Sequence, residues 1–137
     1  MTRPPIPLLF LLLAASCNYS QKQLLEPPEE QAKLRTMQTR AYDTIDEQTT
    51  MRAVIATLQD LGFVIDDANA MLGIISATKL EGGYVRVMVT VKRHGTKQTA
   101  VRASAQANTQ TITDPGVYQQ FFASLSKGMF LSAHEIE

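Results

Sequence analysis

The chain has few cysteines and histidines, which are common residues of catalytic, metal and disulfide sites. Its 137 residues include one cysteine, Cys17, and two histidines, His94 and His134. A single cysteine excludes an intramolecular disulfide framework and any zinc site that needs several cysteines. Neither histidine is placed beside a nucleophile, and no serine lies in a G-x-S-x-G turn. The sequence therefore predicts a protein that is not an enzyme and that uses no cofactor and no metal.

Net charge and long apolar runs are also lacking. Thirteen basic and thirteen acidic residues give a formal net charge of +0, whereas a chain that binds nucleic acid is normally clearly basic. The apolar stretch 6–15 has about ten residues, and a membrane-spanning helix needs roughly twenty. We therefore expect neither nucleic-acid binding nor a spanning helix. The length and a hydrophobic content of 45% suit one modest core.

The amino-terminal segment has the three parts of a secretory signal. Arg3 supplies one positive charge, the stretch 6–15 is an apolar core, and small residues lead to Cys17. Ordinary signal cleavage near Ser16 would leave Cys17 as a free thiol. The position of the only cysteine favours a more specific interpretation.

The stretch 13–17 resembles the lipobox of bacterial lipoproteins, in which small residues precede a cysteine. The resemblance implies that 1–16 is a signal peptide and that Cys17 is the lipid attachment site. The acyl chains would hold the protein on a membrane. By similarity to enterobacterial sorting, Asn18, which is not aspartate, favours the outer membrane with the protein facing the periplasm.

The residues after the cysteine predict a tether. The segment 17–35 is mainly polar, contains the pair Pro27-Pro28 and lacks sustained periodicity. A short helix around 29–34 is the alternative. The remaining segment, 36–137, is expected to form one domain.

The domain begins with a strand and an amphipathic helix. Apolar residues at helical spacing predict a first helix over 47–61, with Thr44 or Asp46 as N-cap and Gly62 as the glycine that ends it. Strands are predicted at 37–43, 63–65, 72–79, 84–93 and 99–107, with a turn at 66–70, a hairpin loop at 94–97 and a second helix from Pro115.

This order, β-α-β-β-β-β-α, predicts an α+β fold of two layers. Two amphipathic helices would cover one face of an antiparallel sheet and leave the other face in water. Ala103, Ala105 and Ala107 are expected on the covered face. Their small side chains would either admit a helix closely or leave space for a ligand.

The segment 50–80 resembles the helix-grip repeat of the BamC lipoproteins of the outer-membrane β-barrel assembly machinery. A helix runs into Leu58-Gln59-Asp60-Leu61-Gly62-Phe63-Val64-Ile65-Asp66-Asp67, and Asn69, Gly73 and the strand 74–77 follow. The resemblance implies a small periplasmic interaction domain on a lipid anchor. Membership of the assembly complex does not carry over, because BamC has two such domains and a long partner-binding segment.

One segment of this otherwise neutral chain is strongly basic. Between Lys79 and Arg102 lie six basic residues and a single acidic residue, Glu81. Strand alternation predicts that Arg86, Lys92 and Arg102 share the open face of the sheet with Tyr84 and Met88. A solvated face with lysines that protect an edge is one interpretation. The other is a docking face for an acidic partner, since arginine, tyrosine and methionine are enriched at interfaces.

Two functions remain open at this point. The first is a non-enzymatic outer-membrane lipoprotein whose domain docks on a protein of an envelope complex. The alternative is a periplasmic carrier that binds a lipid or small apolar ligand between the helices and the sheet.

Overall fold

The computed structural model of the chain describes residues 2–3 and 28–135, and its side chains as far as residue 130. Cys17, nearly all of the predicted signal peptide and the first part of the predicted tether lie outside the described residues. The side chain of His134 is also outside them.

The described chain is an α+β domain, as the sequence predicts. A six-stranded antiparallel sheet has the order β1-β5-β4-β3-β2, and β6 pairs with β5 on the edge that β1 also uses. The elements are α1 (Pro28–Gln38), β1 (Thr39–Tyr42), α2 (Glu47–Asp60), β2 (Val64–Asn69), β3 (Ile74–Lys79), β4 (Val85–His94), β5 (Gln98–Ala107), β6 (Gln110–Thr111) and α3 (Pro115–Glu135).

The helix α2 begins at an aspartate cap. The carboxylate of Asp46 accepts a hydrogen bond from the Thr49 backbone N–H at 3.0 Å and another from the Thr49 hydroxyl at 2.7 Å. These bonds favour the ionised carboxylate and hold the pKa of Asp46 below its usual value. Thr44 accepts from the Asp46 backbone N–H at 3.1 Å. Of the two predicted caps, Asp46 is therefore the N-cap.

The same helix ends at the predicted glycine. Gly62 has φ +89°, and its N–H donates to the Gln59 carbonyl at 3.0 Å. The N–H of Phe63 donates to the Leu58 carbonyl at 2.9 Å, which completes a Schellman motif. The Lys79 ammonium donates to the Leu61 carbonyl at 3.0 Å and satisfies one of the last carbonyls of the helix.

The core lies between the helices and one face of the sheet. Alternate residues of β4 and β5 are buried there, as the predicted alternation requires. Residues of α2 and α3 complete the cluster: Val54, Leu58, Tyr118, Phe121, Phe122 and Leu125.

Buried Tyr118 connects four parts of the chain. Its hydroxyl donates to the Ile112 carbonyl at 2.6 Å, accepts from the Gln38 side chain at 3.2 Å and accepts from the Ala105 N–H at 3.4 Å. These bonds join α3 to the end of α1, to β5 and to the segment after β6. The Gln38 side chain and the Ala105 N–H are buried at these bonds. Without the Tyr118 hydroxyl they would have neither water nor a protein partner, which is energetically costly.

Two side chains of β1, on the side of the sheet that faces the helices, contact α3. The Arg40 guanidinium lies 4.9 Å from the centre of the Phe122 ring, and Tyr42 shares a hydrogen bond of 3.1 Å with Ser126. Arg40 itself is exposed, and this cation–π contact holds its side chain against the ring.

The tether and the first strand differ from their predictions. The sequence predicts a flexible tether as far as residue 35 and a strand from Met37, but Pro28–Gln38 is helical, in line with the short-helix alternative. The sequence signal is weak because only Leu34 and Met37 pack against the core. Tertiary contacts, including the bond from Gln38 to Tyr118, stabilise this helix.

The prediction of a turn at 66–70 is wrong. Strand β2 continues to Asn69 and pairs with β3 through a bulge at Asp66, where the register shifts between Ile65 and Asp67. The Asp66 carboxylate accepts from the Thr78 hydroxyl at 2.6 Å. Acidic residues fit this strand because it forms an edge of the sheet, where charge and a bulge discourage pairing with another chain.

Candidate interaction face

The side of the sheet opposite the helices is uncovered in the described part of the chain. Its residues on β3, β4 and β5 are all exposed or half-buried, while their neighbours on the other side are mostly buried. We call this side the open face. The predicted residues Arg86, Lys92 and Arg102 lie on it, and all three are exposed.

The three cations share the face but do not form one cluster. Arg86 pairs with Gln106, whereas Arg102 pairs with Thr90. Thr90 is four residues along β4 from Arg86, a separation of roughly 13 Å at about 3.3 Å per residue. Lys92 lies opposite Ala100, further along the same strand. Strand alternation therefore placed the three residues on the correct side of the sheet but could not show how far apart they lie.

The other cations of the basic segment are elsewhere. Lys79 caps α2, as described above, and its ammonium is 5.9 Å from the centre of the Phe63 ring. Arg93 and Lys97 are exposed at the hairpin between β4 and β5. The run of basic residues in the sequence is thus divided among three places in the fold.

Tyr84 and Arg86 form a defined pair at one end of the open face. The Arg86 guanidinium donates to the Tyr84 hydroxyl at 2.8 Å and lies 5.8 Å from the centre of its ring. Met88, the next open-face residue on β4, is 48% exposed. Three of the predicted interaction residues therefore come together, and Lys92 and Arg102 stand apart from them.

A groove surrounds this pair. It crosses β2, β3 and β4 and has a volume of about 710 Å³. Besides Tyr84, Arg86 and Met88, its lining includes Val64, Asp66, Ser76, Thr78 and Leu80. We call it the Tyr84 groove. Sequence reasoning missed Val64 and Leu80, since only the sheet brings residues from separate strands to one place.

A second cavity lies on the covered side, between α2, α3 and the sheet. Its volume is about 260 Å³, and most of its lining is apolar, including Leu58, Phe121 and the predicted Ala103 and Ala105. Ala107 is half-buried and is not part of the lining. The two alanines thus lie where α3 packs and also border a space.

The described residues offer few other sites. Within 28–135, no three histidine, cysteine, aspartate or glutamate residues are grouped as metal ligands would be. His94 is exposed at the end of β4. Of the helices in the described chain, none is both long enough and apolar enough to cross a membrane.

Comparison with known proteins gives no assignment. No protein-family model matches this chain, and no curated protein sequence matches it.

Proposed function

We propose that this protein is a non-enzymatic lipoprotein of the outer membrane that faces the periplasm and docks on a protein of an envelope complex. The observation that carries the proposal is the open face, where three exposed cations and Met88 lie on strands whose other side forms the core, with Tyr84 just before β4. Such a surface can bind a partner without disturbing the packed side.

The lipid anchor rests on the lipobox-like stretch that ends at Cys17. Metabolic labelling with an alkyne-tagged palmitate analogue tests it. The wild-type chain is expected to take up the label, and Cys17→Ser is expected to lose it. Label on the Cys17→Ser chain, or none on the wild type, would contradict the anchor.

The docking face is tested by charge reversal. Arg86→Glu with Arg102→Glu is expected to reduce co-purification with crosslinked envelope proteins by about tenfold or more, because like charges across an interface are strongly unfavourable. The matched control, Arg93→Glu with Lys97→Glu, makes the same charge change at the hairpin and should leave co-purification unchanged. Thermal unfolding of both variants checks that the domain stays folded. Equal co-purification of all three proteins would refute the proposal.

The anchor and the docking face are linked through effective concentration. Confinement to a membrane surface raises the local concentration of a partner on the same membrane. Cys17→Ser is therefore expected to lower the yield of partner from intact envelopes while leaving binding by the purified domain intact.

The cavity between helices and sheet favours a second candidate function, a carrier for a small apolar ligand. Its apolar lining is of the kind that binds such ligands, and its volume of about 260 Å³ suits a small molecule better than a whole lipid. Native mass spectrometry of the purified protein tests this. A bound mass that Ala105→Leu removes and Ala100→Leu retains would support the carrier, since Ala100 lies on the open face. An empty wild-type protein would count against it.

A further inference from the structure

Exposed apolar side chains of the open face concentrate in the Tyr84 groove. Four of the nine large hydrophobic residues that are exposed in the described chain line it: Val64 at 69%, Leu80 at 74%, Tyr84 at 36% and Met88 at 48%. Around Arg102, by contrast, the paired residues are Thr90 and Thr39. Clustered apolar exposure of this kind marks interaction sites.

Two cations line the groove, Arg86 and Lys79, and the Lys79 ammonium is already bonded to the Leu61 carbonyl. Tyr84 is the only partner of the Arg86 guanidinium among the described residues. Guanidinium carries five N–H donors, so most remain available for a ligand. Two of them can bind the two oxygens of a carboxylate in parallel, which is the strongest pairing that arginine makes with a planar anion.

The groove also has opposite charges on its two sides. Asp66 lies on the β2 side, where its carboxylate accepts from Thr78, and Thr78 pairs with Arg86 on the β4 side. Positive charge therefore lies over β4, and negative charge lies on the β2 side, next to Thr78 of the strand between them. A ligand with one carboxylate has a single favourable orientation here.

We infer that the Tyr84 groove binds an extended peptide segment of the partner, with one acidic side chain on Arg86 and flanking apolar side chains on Val64, Leu80 and Met88. This inference rests on the proposed docking function and identifies its site and its ligand. An anionic membrane surface fits the groove less well. Such a surface gains about 1 kcal/mol for each nearby cation. Of the two cations that line the groove, Lys79 is bonded to the Leu61 carbonyl, and Arg86 has the Asp66 carboxylate one intervening strand away.

Site-specific photocrosslinking in intact envelopes tests the inference. A benzophenone amino acid replaces Met88 in the groove or, as the matched control, Ala100 at the other end of the open face. Mass spectrometry then identifies the crosslinked segment. We expect the Met88 probe to capture a segment with aspartate or glutamate among apolar residues, and the Ala100 probe to capture it at least about fivefold less.

Single charge reversals complete the experiment. Arg86→Glu should reduce the Met88 crosslink by about tenfold or more, whereas Arg102→Glu, the same change on the same face, should alter it by less than about twofold. Equal losses with both variants, a captured segment without acidic residues, or a lipid adduct at Met88 would overturn the groove inference. Capture by the Ala100 probe alone would overturn it and leave the docking function standing. No protein captured by either probe would refute both.

Discussion

The two faces of β4 differ sharply in exposure. Val87, Val89 and Val91 are 5%, 0% and 1% exposed, while the intervening Met88 is 48% exposed. One residue along the strand therefore separates a position defined by packing from one that is free to serve binding. Substitutions on the covered face should therefore affect stability, and substitutions on the open face should affect recognition.

The largest expected effect comes from a charge placed in the core. Val89→Asp should destabilise the domain by about 4 kcal/mol or more, a large part of the stability of a small domain, because the carboxylate would be buried without a partner. Met88→Asp changes the adjacent residue on the open face and should cost less than about 1 kcal/mol. Urea unfolding monitored by circular dichroism measures both. Similar losses for the two variants would show that the open face is covered in the native protein.

The turns at the two ends of β3 offer the next contrast. Gly73 has φ +66°, and a β-carbon there would overlap the carbonyl of Val91, whose N–H donates to the Gly73 carbonyl at 2.7 Å. Gly73→Ala should therefore cost about 2–4 kcal/mol. Gly82 has φ +75° with open space around it, so Gly82→Ala should cost only about 1 kcal/mol. Equal losses would remove the role assigned to the close approach to Val91.

Two tyrosines extend the comparison of the faces. Tyr118→Phe leaves the Gln38 side chain and the Ala105 N–H without the hydroxyl they bind, and should cost about 1–3 kcal/mol. Tyr84→Phe removes a hydroxyl from the open face and should change stability by less than about 0.5 kcal/mol. If both variants unfold at the same urea concentration as the wild type, the Tyr118 network does not stabilise the domain.

The smallest expected effect is a loss of domain stability at acidic pH. The pKa of Asp46 is lower in the folded domain than its ordinary value of 3.8, mainly through the hydrogen bond from the Thr49 backbone N–H. Its contribution to stability is therefore complete above pH 3.8 and is lost as the pH falls through the lower folded value. Asp46→Asn should be less stable than the wild type at neutral pH, and the difference should shrink as the pH falls below 3.8. Thermal unfolding across this range measures it, and a difference that stays constant with pH would exclude the ionised cap.

Much of the fold could be predicted because the signals are local. The N-cap at Asp46, the glycine at the end of α2 and the alternation of β4 each depend on a few neighbouring residues. Helix α1 was only the alternative interpretation of its segment, and β2 is longer than the predicted strand. Both depend on distant partners, namely Tyr118 and the strand β3. The two-residue strand β6 also depends on a remote partner, β5.

The candidate site shows the same division. Alternation alone placed Arg86, Lys92 and Arg102 on one face, and the sequence also determined which residues could enter the core. The tertiary structure decided that Tyr84, Arg86 and Met88 meet Val64 and Leu80 in one groove while Arg102 lies apart. The physical reason is that the period of a strand sets the side to which a residue belongs, whereas strand order and register set its neighbours. Those depend on pairings between segments that are far apart in the chain.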